Sequence, residues 1–183
     1  ADISNEENLF LISKADTLEK IKKKLPYVED ITIEKSLPNE INIKVTDAVT
    51  IYTIKQGTEY YKVSSSGNVL EKLPNPPENT VLVSGCKFSG EVGDKIVYEN
   101  EKEAEALTLI MDELEKKNIS LEYIDFSTPI SLNIGVENKF KVKLGLKINL
   151  KEKLNHLEET LEALKNENFG IIDISMWSNS HRE

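Results

Sequence analysis

The chain has 183 residues, 39% hydrophobic and 30% charged, with a net charge of −9 and a pI of about 4.9. That balance is too apolar for a disordered chain, and the length allows one medium domain or two small ones. An acidic surface repels phosphate backbones, so general nucleic-acid binding is excluded as a function class. Cys86 stands alone, so no internal disulfide forms, and no Cys/His spacing fits a zinc site. No apolar run reaches the roughly 18 residues of a membrane span, and no signal-peptide pattern opens the chain. The sequence as given reads as soluble and is compatible with a part of something larger.

Taken in chain order, residues 16–25 predict a helix. Asp16 stands at its N-cap with Glu19 three residues on, Leu18, Ile21 and Leu25 share one face, and Pro26 ends it. Lys20, Lys22, Lys23 and Lys24 form a basic run, read as a solvated helix face; anionic lipid head groups are the minor alternative. Residues 28–35 and 41–45 alternate as two strands of a hairpin over "SLPNE", with Pro38-Asn39 as the turn. Short strands follow at 49–54, 59–63 and 69–73 as an antiparallel meander. "LPNPPEN" (73–79) is a proline-rich loop, and "TVLVSG" (80–85) is either a buried strand or a docked segment. Residues 101–117 form a helix capped by Asn100 with Glu103 in the box; Leu107, Ile110, Met111 and Leu114 make its stripe. A strand at 120–127 and a hairpin, 130–136 and 139–145 across Glu137-Asn138, come next. A helix at 150–165 carries Leu150, Leu154, Leu157, Leu161 and Leu164, with Asn149 as cap and Glu152 completing its box. A final strand spans 169–175. The order predicts an α+β fold: a small helix–hairpin unit at 1–47, then a mixed sheet at 48–183 with two amphipathic helices on one face. With no Gly/Ser linker at Asp47-Ala48, the two units are expected to hold a fairly fixed orientation.

Several of these stretches together carry a resemblance. "NLFLI" (8–12), the short helix and "LPYVEDITIEKSLPNEINIKV" (25–45) resemble the POTRA unit of the FtsQ/DivIB family of bacterial cell-division proteins. "YYKVSSSGNVLEKLP", "LVSG", "IDFSTPISLNIGVENKFKVKLG", "LKEKLNHLEETLEAL" and "GIIDIS" are similar to that family's later segments, in the same order. The first POTRA strand, most of its first helix, the membrane span and the cytoplasmic tail of the family have no counterpart here, so the first domain is expected to be incomplete. Where the family often carries Glu-Arg-x-Pro, this chain has Asp47-Ala48-Val49-Thr50, and any role of that arginine does not transfer. After "IIDIS" only "MWSNSHRE" follows, so the family's further short strand is expected to be short or absent. The resemblance implies a non-enzymatic scaffold of the division septum. It lies outside the cytoplasmic membrane, anchored through a segment absent from this chain, and binds partners of the FtsB/DivIC and FtsL types to help control septal wall synthesis.

Catalytic chemistry finds little support in the residues. His156 sits on the leucine-rich helix and reads as a surface or boundary histidine; His181 is close to the terminus. Cys86 follows Gly85 in a loop with no basic neighbour to lower its pKa. Asp125 and Asp173 each precede a serine by two residues, which suits a local hydrogen bond at a strand end. As a carboxylate pair they form the one enzymatic alternative, a wall-modifying activity that requires both in one cleft. No phosphate-binding glycine loop exists. No metal, cofactor or small-molecule substrate is expected.

Binding has better support. A sheet whose last strand lies at 171–175 exposes an edge to which an extended partner can add. Ile172, Ile174, Ser175, Met176 and Trp177 are the candidate partner-binding residues. Ile172 and Ile174 point together, toward core or partner according to register. Trp177, the single tryptophan, is either a hot spot or a cover for the helix at 150–165. Replacing Ile174 by proline is expected to remove a ladder donor and abolish partner binding with the domain still folded. The alternative binding reading is a POTRA-type module that holds unfolded polypeptide promiscuously.

Overall fold

Strand alternation and helical stripes set the elements, and burial of their apolar faces decides how they stack. The computed structural model describes residues 14–36 and 40–177. The first helix, α1 (Lys14–Lys24), is followed by β1 (Val28–Ser36) and β2 (Glu40–Asp47), an antiparallel pair with Ile31 opposite Val45 and Ile33 opposite Ile43. The Pro38-Asn39 turn and the "NLFLI" stretch lie outside the described residues. Helix α1 is already formed at Lys14, so Asp16 falls within it and is not its N-cap. Lys14 and Ala15 are good helix formers, which extends the helix past the capping signal. The lysine run also departs from a uniformly solvated face: Lys22 pairs with Glu29 at 3.7 Å and Lys23 with Asp94 at 3.5 Å.

The remaining elements build one eight-stranded mixed sheet. Its members are β3 (Thr50–Gln56), β4 (Glu59–Ser64), β5 (Val69–Leu73), β6 (Val81–Ser84), β9 (Leu121–Thr128), β10 (Ser131–Val136), β11 (Phe140–Gly145) and β12 (Gly170–Asp173). They lie in the order β12-β11-β10-β9-β6-β3-β4-β5. A separate ladder, β7 (Phe88–Ser89) with β8 (Val97–Tyr98), precedes α2 (Glu101–Lys116); α3 (Leu150–Ala163) lies between β11 and β12. The "TVLVSG" run is the central strand β6, parallel to β3 and to β9. Paired on both sides, β6 lies inside the sheet, a position that suits an unbroken apolar run. In the three-residue loop between β10 and β11, Glu137 and Asn138 take φ 59° and 50°, the left-handed conformations of a tight hairpin turn.

Helices α2 and α3 bring Leu107, Ile110, Leu114, Leu150, Leu154 and Leu157 onto one sheet face, where they share a core with Val83, Ile124, Ile134 and Val142. Asn100 caps α2 by accepting from the Lys102 N–H at 3.1 Å, whereas Glu103 turns its carboxylate to Lys147. Asn149 differs from its expected role. It adopts a left-handed conformation (φ 51°) and its side chain makes no cap bond. The chain must reverse tightly between β11 and α3, and asparagine tolerates that conformation. Lys153 braces this reversal from inside: almost fully buried, it donates to the Leu144 and Leu146 carbonyls at 2.6 and 3.0 Å.

Candidate partner-binding edge

The last strand, β12, pairs only with β11, in parallel. Gly170 donates to the Lys139 carbonyl at 3.1 Å and Ile174 donates to that of Lys143 at 3.0 Å. Alternate residues of a strand turn their main-chain groups to opposite sides. Ile172 therefore also faces β11, while the N–H and C=O groups of Ile171 and Asp173 face away from it. Among the described residues no strand lies on that outer side.

Side chains complete the edge. Ile172 and Ile174 are buried in the main core, 6% and 5% exposed, so their side chains pack beneath the sheet and offer nothing to a guest. Their inward direction follows from period-2 register with β11, whose Val142 is fully buried. The exposed apolar side chains here are Phe169, Ile171 and Met176, at 84%, 66% and 92%. Asp173 ends the strand: its Oδ1 accepts from the Ser175 N–H at 3.1 Å and the Ser175 hydroxyl at 2.6 Å. Those bonds, the hydroxyl's first, hold the Asp173 carboxyl below the usual aspartate range. Ser175 is thus committed within the chain, and its Cβ lies so close to Gly145 that a side chain at 145 would meet it at 2.7 Å. Trp177 stacks on His156 of α3, ring centroids 5.4 Å apart and planes 17° apart, and packs against the core. Of its two readings, the cover over the helix is the one these contacts describe.

The register also corrects a substitution. The Ile174 N–H is spent inside the chain's own ladder, so proline there damages β12 itself; the donors that face outward belong to Ile171 and Asp173. Sequence reasoning missed Ile171 and Phe169. A signal was available: once Ile172 and Ile174 share the buried face, Ile171 is an isoleucine where alternation calls for a polar residue.

The opposite edge of the sheet is covered only where β5 begins. Val69 of β5 donates to the Asp94 carbonyl at 2.9 Å and accepts from the Gly93 N–H at 2.8 Å; Asn68 bridges to Lys95. A loop of the chain's own therefore covers the start of β5, at Val69, and among the described residues no strand lies outside the rest of it.

The enzymatic alternative fails on geometry. Asp125 of β9 stands opposite Asn133 of β10, Asn133 opposite Lys143 of β11, and Lys143 opposite Asp173 of β12. Three strand spacings separate the two aspartates, about 14 Å, beyond the roughly 5–9.5 Å of paired catalytic carboxyls. Each is occupied locally, as the Asp-x-Ser spacing suggests: Asp125 Oδ1 accepts from the Ser127 N–H at 2.9 Å and the Ser84 hydroxyl at 3.1 Å. Partial burial pushes the Asp125 carboxyl up, and the bonds from Ser127 and Ser84 outweigh it and hold it below the usual range. Cys86 is buried; that burial, with Glu103 nearby, pushes its thiol up to about 12, so the nucleophilic thiolate is scarce at neutral pH. His181 lies outside the described residues. Among the described residues, no group of three His, Cys, Asp or Glu side chains is arranged for a metal, and no helix is long and apolar enough to cross a membrane.

Comparison with known proteins bears on the whole chain. Residues 1–47 match the FtsQ-type POTRA domain, and residues 52–175 match the C-terminal domain of the cell division protein FtsQ/DivIB. The chain belongs to the FtsQ/DivIB family of cell division proteins. Among its relatives is the cell division protein DivIB of Clostridium botulinum (strain Loch Maree / Type A3), 24% identical over 191 residues that cover 97% of this chain and 71% of the relative. DivIB of Clostridium tetani is 26% identical over 186 residues, covering 98% and 69%. The solved extracytoplasmic domain of DivIB from Geobacillus stearothermophilus aligns over 67% of this chain and 98% of its own at 12% identity, with a TM-score of 0.36, too loose a superposition to argue from. This FtsQ/DivIB protein thus has the family and the α+β fold class expected from the ordered motifs.

Proposed function

We propose that this FtsQ/DivIB protein is a non-enzymatic scaffold of the division septum. It acts on the extracytoplasmic side of the cell membrane, anchored through a segment outside this sequence, and captures a strand of FtsB/DivIC- or FtsL-type partners on the outer side of β12. Such capture helps to control septal wall synthesis. One observation carries the reading: the Ile171 and Asp173 main-chain groups of β12 meet no strand among the described residues, while β5 on the other edge is paired with the chain's own loop at Val69. A strand with its donors and acceptors unpaired is a template for another. Phe169, Ile171 and Met176 flank the rim with apolar surface, while Ile172 and Ile174 shape it from beneath and Ser175 and Trp177 fasten its end.

The test uses a position where proline is tolerated. An edge strand accepts proline where the lost N–H faces solvent, so Ile171→Pro is expected to keep the fold and weaken binding of a DivIC-type extracytoplasmic segment at least about tenfold, on the order of 1.4 kcal/mol. Circular dichroism and calorimetry on the same samples report the fold. Full affinity in a folded Ile171→Pro protein would sink the proposal. The promiscuous polypeptide-binding alternative draws on β2, where Ile43 and Val45 are 63% and 51% exposed. It requires scrambled extended peptides to bind as well as the partner segment does.

A further inference from the structure

The short junction at Asp47-Ala48 limits how far α1–β2 can move against the large sheet, and contacts between the two units decide whether one orientation is held. Here contacts from different elements converge on one end of the sheet. Gly93, at φ 91°, lies against the last turn of α1 so closely that a Cβ would sit 2.6 Å from Lys23 Cα and 2.8 Å from the Lys22 carbonyl oxygen. These are backbone atoms, which cannot swing aside as a side chain does. Lys23 Nζ pairs with Asp94 beside it. On the other flank, the Tyr27 hydroxyl donates to Glu71 Oε2 of β5 at 2.8 Å, and Lys62 Nζ of β4 donates to the same oxygen at 2.8 Å and to the Tyr27 hydroxyl at 3.4 Å. The Tyr27 carbonyl accepts from the Ala48 N–H at 2.8 Å across the junction, where Ala48 is buried.

The loop that holds Gly93 is the one that pairs with Val69 at the start of β5. We propose that the C-terminal turn of α1 is a latch: seated on Gly93 and tied at Tyr27, it locks the helix–hairpin unit in one orientation and clamps the 93–96 loop over β5. The latch stands independently of whether β12 captures a partner.

Pulsed electron–electron distance measurement tests it on the full chain. Spin labels at Lys44→Cys and Asn166→Cys report between β2 and the turn after α3; Cys86 is buried, 3% exposed. The expected result is one narrow distance in the parent protein, lost on Gly93→Val. Because valine at a left-handed position also strains its own loop, a second variant leaves the loop untouched: Lys23→Ala with Tyr27→Ala is likewise expected to broaden the distribution. Amide exchange at Val69, the group that donates to Asp94, is expected to accelerate in both. A broad distribution in the parent, or a narrow one that survives both variants, overturns the latch.

Discussion

The Tyr123 ring of β9 occupies the space beside Gly135 of β10, its direct cross-strand partner; a Cβ at 135 would stand 2.3 Å from the ring. Glycine in a strand interior costs backbone entropy and leaves a hole in the side-chain layer, and the tyrosine ring fills that hole. Gly135→Ala is therefore expected to cost about 1–3 kcal/mol by overpacking. The same change made in a Tyr123→Ala background is expected to be neutral or stabilising, since alanine then meets open space. Urea unfolding of the two singles and the double closes the cycle. A cost for Gly135→Ala that is equal in both backgrounds contradicts the ring-beside-glycine account.

Gly85, the last residue of "LVSG", faces a harder obstacle. It has φ 83°, and a side chain there would come within 2.1 Å of the Ser127 backbone nitrogen. Strained dihedral and backbone clash act together, so Gly85→Ala is expected to destabilise by about 3 kcal/mol or more. The midpoint of chemical denaturation, compared with Gly57→Ala where no atom lies within 4 Å, measures it; equal losses at the two glycines would show that dihedral strain alone matters.

The turn that ends β12 depends on pH. The Asp173 carboxyl is held below its ordinary range by the Ser175 hydroxyl and N–H. A depressed folded-state value means that this ordering is fully present above the ordinary aspartate pKa and is lost as pH falls through the depressed one. The Ser175 amide resonance is expected to titrate in that acidic window and to stop titrating in Asp173→Asn. The group is exposed, so the effect is local to the turn.

Trp177 reports on its own docking. As the single tryptophan, stacked on His156, it supplies all the indole fluorescence. His156→Ala is expected to shift that emission to the red and raise its accessibility to acrylamide, with α3 intact because His156 is not part of the buried stripe. An unchanged spectrum would mean that the ring is held by the core contacts alone.

Some of this architecture stood plainly in the amino-acid order. The α2 stripe of Leu107, Ile110 and Leu114, the α3 leucines and the Glu137-Asn138 hairpin are local: each needs only its own neighbours to declare its period. Long-range pairing was less legible. "TVLVSG" stayed ambiguous between strand and docked segment because an unbroken apolar run does not say what lies beside it; only parallel pairing with β3 and β9 makes it the central strand. Asn149 looked like a helix cap, yet the tight reversal after β11 took its backbone into the left-handed region and removed its side chain from the cap.

Family and the order of the main helices and strands were legible in the amino-acid order, because period and motif order are written along the chain. Where the chain's own loop covers a rim of the sheet, and where main-chain groups stay unpaired by a strand, is a matter of tertiary structure. Gly93 meets β5 and α1 through backbone atoms, and the outward groups of Ile171 and Asp173 are main-chain too. Every residue type carries nearly the same backbone, so no side-chain pattern records where those donors and acceptors end up.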